Sequence, residues 1–363
     1  MQDTLHYPGK EAGTTGDAVN ALRPRRACAA PGRVVSDVST PMNDVYCFGH
    51  VSTGVILRLK DRFPKPDGYG EVVETLENHS GEATGSALVL ARFGAGVAIE
   101  GNWIGDTPQC RRTLEFLRSR GIDCSGLVVK PGYQGVNEIV ISDGESRTVF
   151  GRYCDLLFTT PQWEQPSVER IHAARIVCVD PAFGDTTLFV ARKAKELGKP
   201  LVTCDARADS ELARLADVVA VSGEMMAREY PAVLTDPAAR ERLFSEYLER
   251  CSGLVVFTAG SRPLWYGRGR ASSPKPGQVA PGVRCELAPF SVEVVDSAGA
   301  GDSFRGGLIY GMLRGWSDED TVRFASAVGA LICTTAPGCV NPPTLDRVRA
   351  FLAERGAPLP ADL

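Results

Sequence analysis

Features that would mark a specialised class are scarce in this sequence. Four histidines (His6, His50, His79 and His172) lie scattered among 363 residues. Eleven cysteines, an odd number, include no Cys-x-x-Cys pair. Neither a disulfide framework nor a zinc site is expected from that spacing. Cysteines inside apolar runs, such as Cys178 and Cys204, read as small buried hydrophobes, and this usage suits a reducing, cytoplasmic compartment. No apolar stretch approaches the length of a membrane span. The net charge of −4 offers no field for nucleic acid or an anionic membrane. Common nucleotide motifs are missing too. Gly198-Lys199 runs into Pro200, so there is no P-loop. Gly94-Ala95-Gly96 has Ile99 where a dinucleotide fingerprint needs its third glycine, and no protein-kinase signature set occurs.

What is present is ordinary for a globular enzyme: 44% hydrophobic and 23% charged residues, with length enough for one large core. Residues 1–41 stand apart. They are rich in Ala, Gly, Pro, Arg and Thr, show no sustained apolar period, and contain no secretory h-region. They are expected to be disordered or a misassigned extension, with Met42 as the natural start. From Val45 onward, short apolar runs at 45–49, 97–101, 127–130, 175–179, 201–205, 218–221 and 254–258 read as strands. Helical patterns follow at 84–93, 108–120, 185–198, 237–251, 299–314, 317–335 and 344–355. This alternation predicts an α/β fold, a mostly parallel sheet with helices on both faces. Two strand pairs interrupt it: 55–60 with 71–76, and 138–142 with 148–153, the latter around Asp143-Gly144-Glu145.

The most informative segment is Asp296-Ser297-Ala298-Gly299-Ala300-Gly301-Asp302-Ser303-Phe304-Arg305. It follows the strand-like run 292–295 and opens an amphipathic helix. A helix start carries unpaired N–H donors and a partial positive charge, and glycines let an anion approach the backbone. Asp302 would then stand beside a bound phosphate, where its carboxylate can accept a hydroxyl proton. The plainer alternative is a first-turn charge or cap, but five small residues in a row exceed what capping needs.

This segment resembles the second signature of the PfkB/ribokinase family of carbohydrate and nucleoside kinases, Asp-Thr-x-Gly-Ala-Gly-Asp-x-Phe, with Ser297 in place of Thr. The resemblance covers about residues 44–355. It implies a ribokinase-like three-layer α/β/α sandwich with a small β-strand lid, inserted at about 55–78 and 137–153 of a kinase domain at 42–357. Residues 358–363 would be a C-terminal tail. It implies Gly299, Ala300 and Gly301 as the anion hole, Asp302 as general base, and Asp296 and Ser297 beside the nucleotide. Thr258-Ala259-Gly260 at a strand end suits ATP phosphate or ribose, or is an ordinary turn. Pro263 stands where the family has its last glycine there. Gly338 falls in the family's adenine-side loop, and equally reads as a helix stop. Glu224 is either a magnesium-shell residue or a solvated helix start, because Val221 replaces the Asn of that motif.

The acceptor end departs further. The first family signature falls on Ser80-Gly81-Glu82-Ala83-Thr84-Gly85, with Gly85 at its Asn position, and Gly54 stands where a substrate-binding Asp is usual. A carboxylate and an amide pair well with vicinal hydroxyls; two glycines are expected to leave room instead. Ser52, Gly54, Gly81, Gly85 and Asn137 are the acceptor-site candidates, with Thr53, Glu82, Thr84 and Ser86 nearby. Arg147 and Arg152 would either meet an acidic substrate group or form a solvated face. An ordinary aspartate pKa of about 3.9 would leave Asp302 ionised at neutral pH.

These residues point to a kinase moving the γ-phosphoryl of MgATP to a hydroxyl of a small sugar or sugar-like acceptor. The alternatives are a nucleoside or cyclitol acceptor, or a non-catalytic ligand-binding protein of the same fold. The resemblance also admits an activating K+ ion and a homodimer through the lid.

Overall fold

The computed structural model describes residues 43–144, 146–154, 156, 160–360 and 362–363. The expectation for residues 1–41 falls outside that set, as does Glu145 of the hairpin turn. Fourteen strands are found among the described residues: β1 Val45–Gly49, β2 Ser52–Leu59, β3 Val72–Ser80, β4 Val97–Gly101, β5 Ile104–Gly105, β6 Val129–Lys130, β7 Asn137–Ser142, β8 Arg147–Gly151, β9 Ile176–Val179, β10 Leu201–Cys204, β11 Val218–Val221, β12 Leu254–Phe257, β13 Leu264–Arg268 and β14 Arg284–Leu287. The helices are α1 Glu82–Arg92, α2 Pro108–Ser119, α3 Val168–Ala173, α4 Asp185–Glu196, α5 Glu211–Leu215, α6 Gly223–Glu229, α7 Pro237–Arg250, α8 Ala300–Arg314, α9 Asp318–Ile332 and α10 Leu345–Glu354.

The main sheet runs β14-β13-β12-β11-β10-β9-β1-β4. From β12 to β4 every pair is parallel, while β13 and β14 extend it antiparallel. Successive side chains on a strand face opposite ways, and two cores form accordingly. Val45 and Cys47 of β1 join the core that includes α1, α2, α8, α9 and α10. Tyr46 and Phe48 join the core beneath α3 to α7. The result is the three-layer sandwich. The chain leaves β1 in one direction toward β4 and in the other toward β9 and β10. Ligands in such sheets bind at the carboxyl ends of the strands near that reversal.

Both interrupting strand pairs join one four-stranded lid, β3-β2-β7-β8. The pairing is antiparallel at both edges and parallel between β2 and β7. The β7–β8 hairpin closes through an Asp143 N–H to Ser146 carbonyl bond of 3.2 Å. The lid leaves Val73, Ile139 and Phe150 exposed.

Several expected elements differ. The run 292–295 is not a strand. It is irregular and largely exposed, and its last amide, Val295 N–H, bonds the Cys333 carbonyl past the end of α9 at 2.7 Å. Apolar character alone cannot make a strand that has no partner edge. Within 127–130 only Val129–Lys130 is extended, paired with β5 outside the main sheet. The antiparallel pair β13–β14 and the short helices α3, α5 and α6 are additions, too short or too polar to show a clear period. Among the described residues, no helix is long and apolar enough to cross a membrane.

Helix α8, which carries Asp302, is held from behind by aromatic packing. Phe324 of α9 is fully buried and lies 5.5 Å from Phe93, 5.6 Å from Tyr310 and 5.1 Å from Trp316, ring centre to ring centre. Phe324→Ala is expected to lower stability by about 3–5 kcal/mol, read from urea denaturation; a loss near zero would mean that this cluster does not support α8.

Candidate active site

The segment 296–302 makes a tight turn into α8. Gly299 is left-handed at φ 73° and precedes the helix. A side chain could not replace it, because an added Cβ would lie 2.5 Å from the Cβ of Cys339. The Ala300 N–H bonds the Ser297 carbonyl at 3.3 Å, and the Ser303 N–H bonds the Gly299 carbonyl at 2.9 Å. By helix geometry, the amides of Gly301 and Asp302 lack an intrahelical acceptor. The space beside the Gly301 α-carbon is open, with nothing within 4 Å of an added Cβ. Asp296 is buried; its Oδ1 accepts the Ala298 N–H at 2.9 Å, and its Oδ2 has no partner among the described residues.

Asp302 sits in the first turn of α8, partly open to solvent. Burial pushes its carboxyl up to about 7, with the Glu82 and Asp180 charges adding to the rise and Arg305 and Arg147 opposing it. The expectation of an ordinary aspartate is corrected: protein and two carboxylates crowd this group, which sequence proximity does not reveal. Gly85 lies against it, where an added Cβ would be 2.6 Å from the Asp302 Cβ. Ser86 donates its hydroxyl to the Asp302 carbonyl at 2.9 Å.

Beneath Asp302 runs a buried charge network that the sequence reading missed. Arg305, fully buried three residues along α8, lies with Nη1 2.7 Å from Oδ1 of Asp180, which is equally buried. Its Nε donates to the Ser86 hydroxyl at 2.9 Å. Asp180 follows β9, and its Oδ2 accepts the N–H groups of His50 (2.7 Å) and Ala83 (3.0 Å). The His50 ring meets Glu82 at 3.1 Å. Burial alone would raise Glu82, but the His50 contact holds it down at about 2. Solvent still reaches 44% of that side chain, so the contact weighs more than the burial. Two signals pointed here: a carboxylate just past a buried strand's carboxyl end, and an arginine at i+3 from Asp302 on a buried helix face.

The other candidates are distributed around this centre. Thr258 follows β12, its N–H bonded to the Val221 carbonyl at 2.9 Å, and Gly260 turns left-handed in open space. Gly338 is buried against the Ile332 carbonyl, and the next residue, Cys339, packs on Gly299. Glu224 is exposed at the start of α6, with Arg147 of the lid 3.8 Å from it. Arg147 and Arg152 are both exposed, and of the two Arg147 reaches toward Glu224 and lowers the Asp302 pKa by its charge. Ser52 bonds Ser80 at 2.7 Å. Gly81 precedes α1, close against the His50 carbonyl. Asn137 alternates away from Gly54 and its amide bonds the Gly135 carbonyl at 3.3 Å. The expectation that Gly54 and Gly85 leave room is overturned. An added Cβ at Gly54 would collide with the Glu138 carbonyl, and Gly85 is covered by Asp302. Both glycines permit close approach rather than open a pocket.

Two measurements test this electrostatic arrangement. Arg305→Met leaves Asp180 buried and uncompensated, so stability at pH 7 should fall by about 3–5 kcal/mol. A loss below 1 kcal/mol in chemical denaturation would sink that account. A base with its pKa raised toward 7 is active only when deprotonated. The acid limb of kcat/KM should therefore lie near neutrality, activity falling as pH drops through it. A limb near 4 would mean that Asp302 is not so perturbed, or is not the titrating base.

Comparison with known proteins follows the same lines. Residues 42–345 match the family described as pfkB family carbohydrate kinase. The ATP-dependent ribose-1-phosphate kinase of Halopiger xanaduensis is 30% identical over 313 residues, covering 85% of this chain and 97% of that protein. The nucleoside kinase of Methanothermobacter thermautotrophicus is 25% identical, covering 86% and 97%. Arabidopsis thaliana ribokinase, solved with ribose and ATP, shares the fold at a TM-score of 0.67 and 16% identity, over 85% of this chain and 98% of that one. By a match that takes in the lid, the sheet and the turn into α8, the chain belongs to the pfkB family of carbohydrate kinases and is a phosphotransferase with an alcohol group as acceptor.

Proposed function

We propose that the protein transfers the γ-phosphoryl group of MgATP to a hydroxyl of a sugar or sugar-like acceptor, with Asp302 as general base. The observation that carries this reading is the position of Asp302, one turn into α8 beside the open Gly301 amide and above the Arg305–Asp180 pair. The acceptor oxygen gives its proton to Asp302 and bonds the γ-phosphorus as the bond to the bridging oxygen breaks and ADP leaves. Charge on the transferring group is met by the Gly301 and Asp302 amides and the start of α8. Such chemistry asks the protein mainly for positioning and charge stabilisation. With its pKa raised toward 7, Asp302 serves as base in its ionised form, and that carboxylate takes up a proton more readily than an ordinary aspartate does.

ATP fits along the strand ends at Thr258 and Gly260 and in the open space at Gly301. Magnesium would neutralise phosphate charge. Magnesium commonly keeps several waters and is held mainly by substrate phosphates, with Glu224 the candidate on the protein. Asp296 Oδ2, buried and unpartnered among the described residues, is the atom that would face a K+ ion. Exposed Val73, Ile139 and Phe150 support a homodimer through the lid.

A second reading narrows the acceptor to a sugar carrying an acidic group. It is favoured by Arg147, an exposed lid cation 3.8 Å from Glu224 whose charge acts on Asp302, and by the ribose-1-phosphate kinase relative. The test is ADP release from MgATP with ribose, ribose 1-phosphate, fructose, inosine and myo-inositol, run beside Asp302→Asn. At least one acceptor should raise turnover, and the variant should lose roughly 10²-fold or more. If no acceptor lifts the wild type above the variant, the reading fails.

A further inference from the structure

The two family residues missing at Gly54 and Gly85 leave the acceptor without its usual carboxylate and amide, yet the lid carries both chemistries one strand away. The register pairs Gly54 with Asn78 on one side and Glu138 on the other, and Glu138 with Gly151. Alternation puts these four on one face of the lid. Two are glycines, so only Asn78 and Glu138 present side chains from that row.

The glycines explain how Glu138 is placed. An added Cβ at Gly54 would lie 2.9 Å from Cγ of Glu138 as well as striking its carbonyl. A side chain at 54 and Glu138 in this position therefore exclude one another. At the other end Tyr153 folds across Gly151, where an added Cβ would strike its ring, and donates its hydroxyl to Glu138 Oε2. Asn78 Nδ2 donates to Glu138 Oε1 at 2.6 Å, and the Ser80 hydroxyl donates to the same oxygen. No Lys or Arg pairs with Glu138 among the described residues. A carboxylate offers about four acceptor positions, so three neutral donors leave one for a ligand.

This cluster adjoins the reaction centre on two sides. The Tyr153 ring lies 5.0 Å from that of His50, the partner of Glu82. Asn78 Oδ1 accepts the Cys339 thiol at 3.5 Å, and Cys339 is the residue packed on Gly299.

We propose that Glu138 is the acceptor-gripping carboxylate of this enzyme, held by Asn78, Ser80 and Tyr153, and that its ligand is a secondary ring hydroxyl of the acceptor, the 2-hydroxyl of a ribose unit, distinct from the one phosphorylated. The proposal rests on the kinase reading and deepens it, since specificity then comes from the lid rather than from the ends of β1 and the start of α1.

The experiment is steady-state kinetics of wild type, Glu138→Gln and Asp302→Asn with three acceptor pairs: ribose and 2-deoxyribose, ribose 1-phosphate and its 2-deoxy form, inosine and 2′-deoxyinosine. Glu138→Gln keeps the shape and removes the charge. For the best hydroxylated acceptor its KM should rise roughly 10- to 100-fold, while KM for ATP stays within about twofold. The wild-type preference over the deoxy analogue should shrink in the variant, a change that simple loosening of the lid would not produce. Unchanged acceptor KM and unchanged preference overturn the proposal while leaving the kinase reading intact. So does a parallel rise in both KM values with the preference kept. Wild type no better than Asp302→Asn on every acceptor overturns both. If Glu138→Gln does not fold by circular dichroism, Tyr153→Phe, which removes one donor to Glu138, is read the same way; an unchanged acceptor KM there counts against the proposal.

Discussion

The ion pair between Arg305 and Asp180 is the constraint on which the centre depends. Both groups are taken wholly out of water, which is tolerable only because each finds the other and further polar partners. Through Ser86 the arginine fixes the carbonyl of Asp302 and with it the pitch of α8. Through Asp180 it gathers the amides of His50 and Ala83, hence the end of β1 and the start of α1. Four elements that meet at the carboxyl edge of the sheet are thus tied at one point beneath the base. A hydrophobic core could press the same elements together, but would not fix their rotation, since burial is non-directional.

The same network shapes the electrostatics of Asp302, the proposed base. Burial raises the Asp302 pKa most, and the charges of Glu82 and Asp180 add to the rise, so its proton is held more tightly than an ordinary aspartate holds one. Arg305 limits that rise. A base poised near neutrality accepts a proton with more driving force than one ionised down to pH 4.

The two ends of the cleft follow different logics. The proposed phosphate end uses backbone: a left-handed glycine, open amides and a helix start, all contiguous in sequence. The acceptor end uses side chains brought together by strand register. There Gly54 and Gly85 serve closeness rather than space. One lets Glu138 lean across the lid, and the other lets α1 pack directly on Asp302.

Legibility followed locality. The alternation of apolar runs and helical periods made the layered sheet readable from Val45 onward, because burial on both faces of a parallel sheet is written in each strand separately. The segment 296–305 was readable for the same reason, its proposed function residing in ten consecutive residues. The antiparallel pair β13–β14, the unpaired run at 292–295, the crowding that raises Asp302, and the Arg305–Asp180–His50–Glu82 network were not. Each depends on groups brought close from distant parts of the chain, 130 positions apart for His50 and Asp180 and 219 for Ser86 and Arg305, and no local pattern encodes that distance. The sequence by itself determined the α/β architecture and the glycine turn into α8 with its carboxylate, the proposed anion site. Only the tertiary structure decided which charges surround that carboxylate and which side chains line the lid, because electrostatics and strand register are properties of neighbours in space.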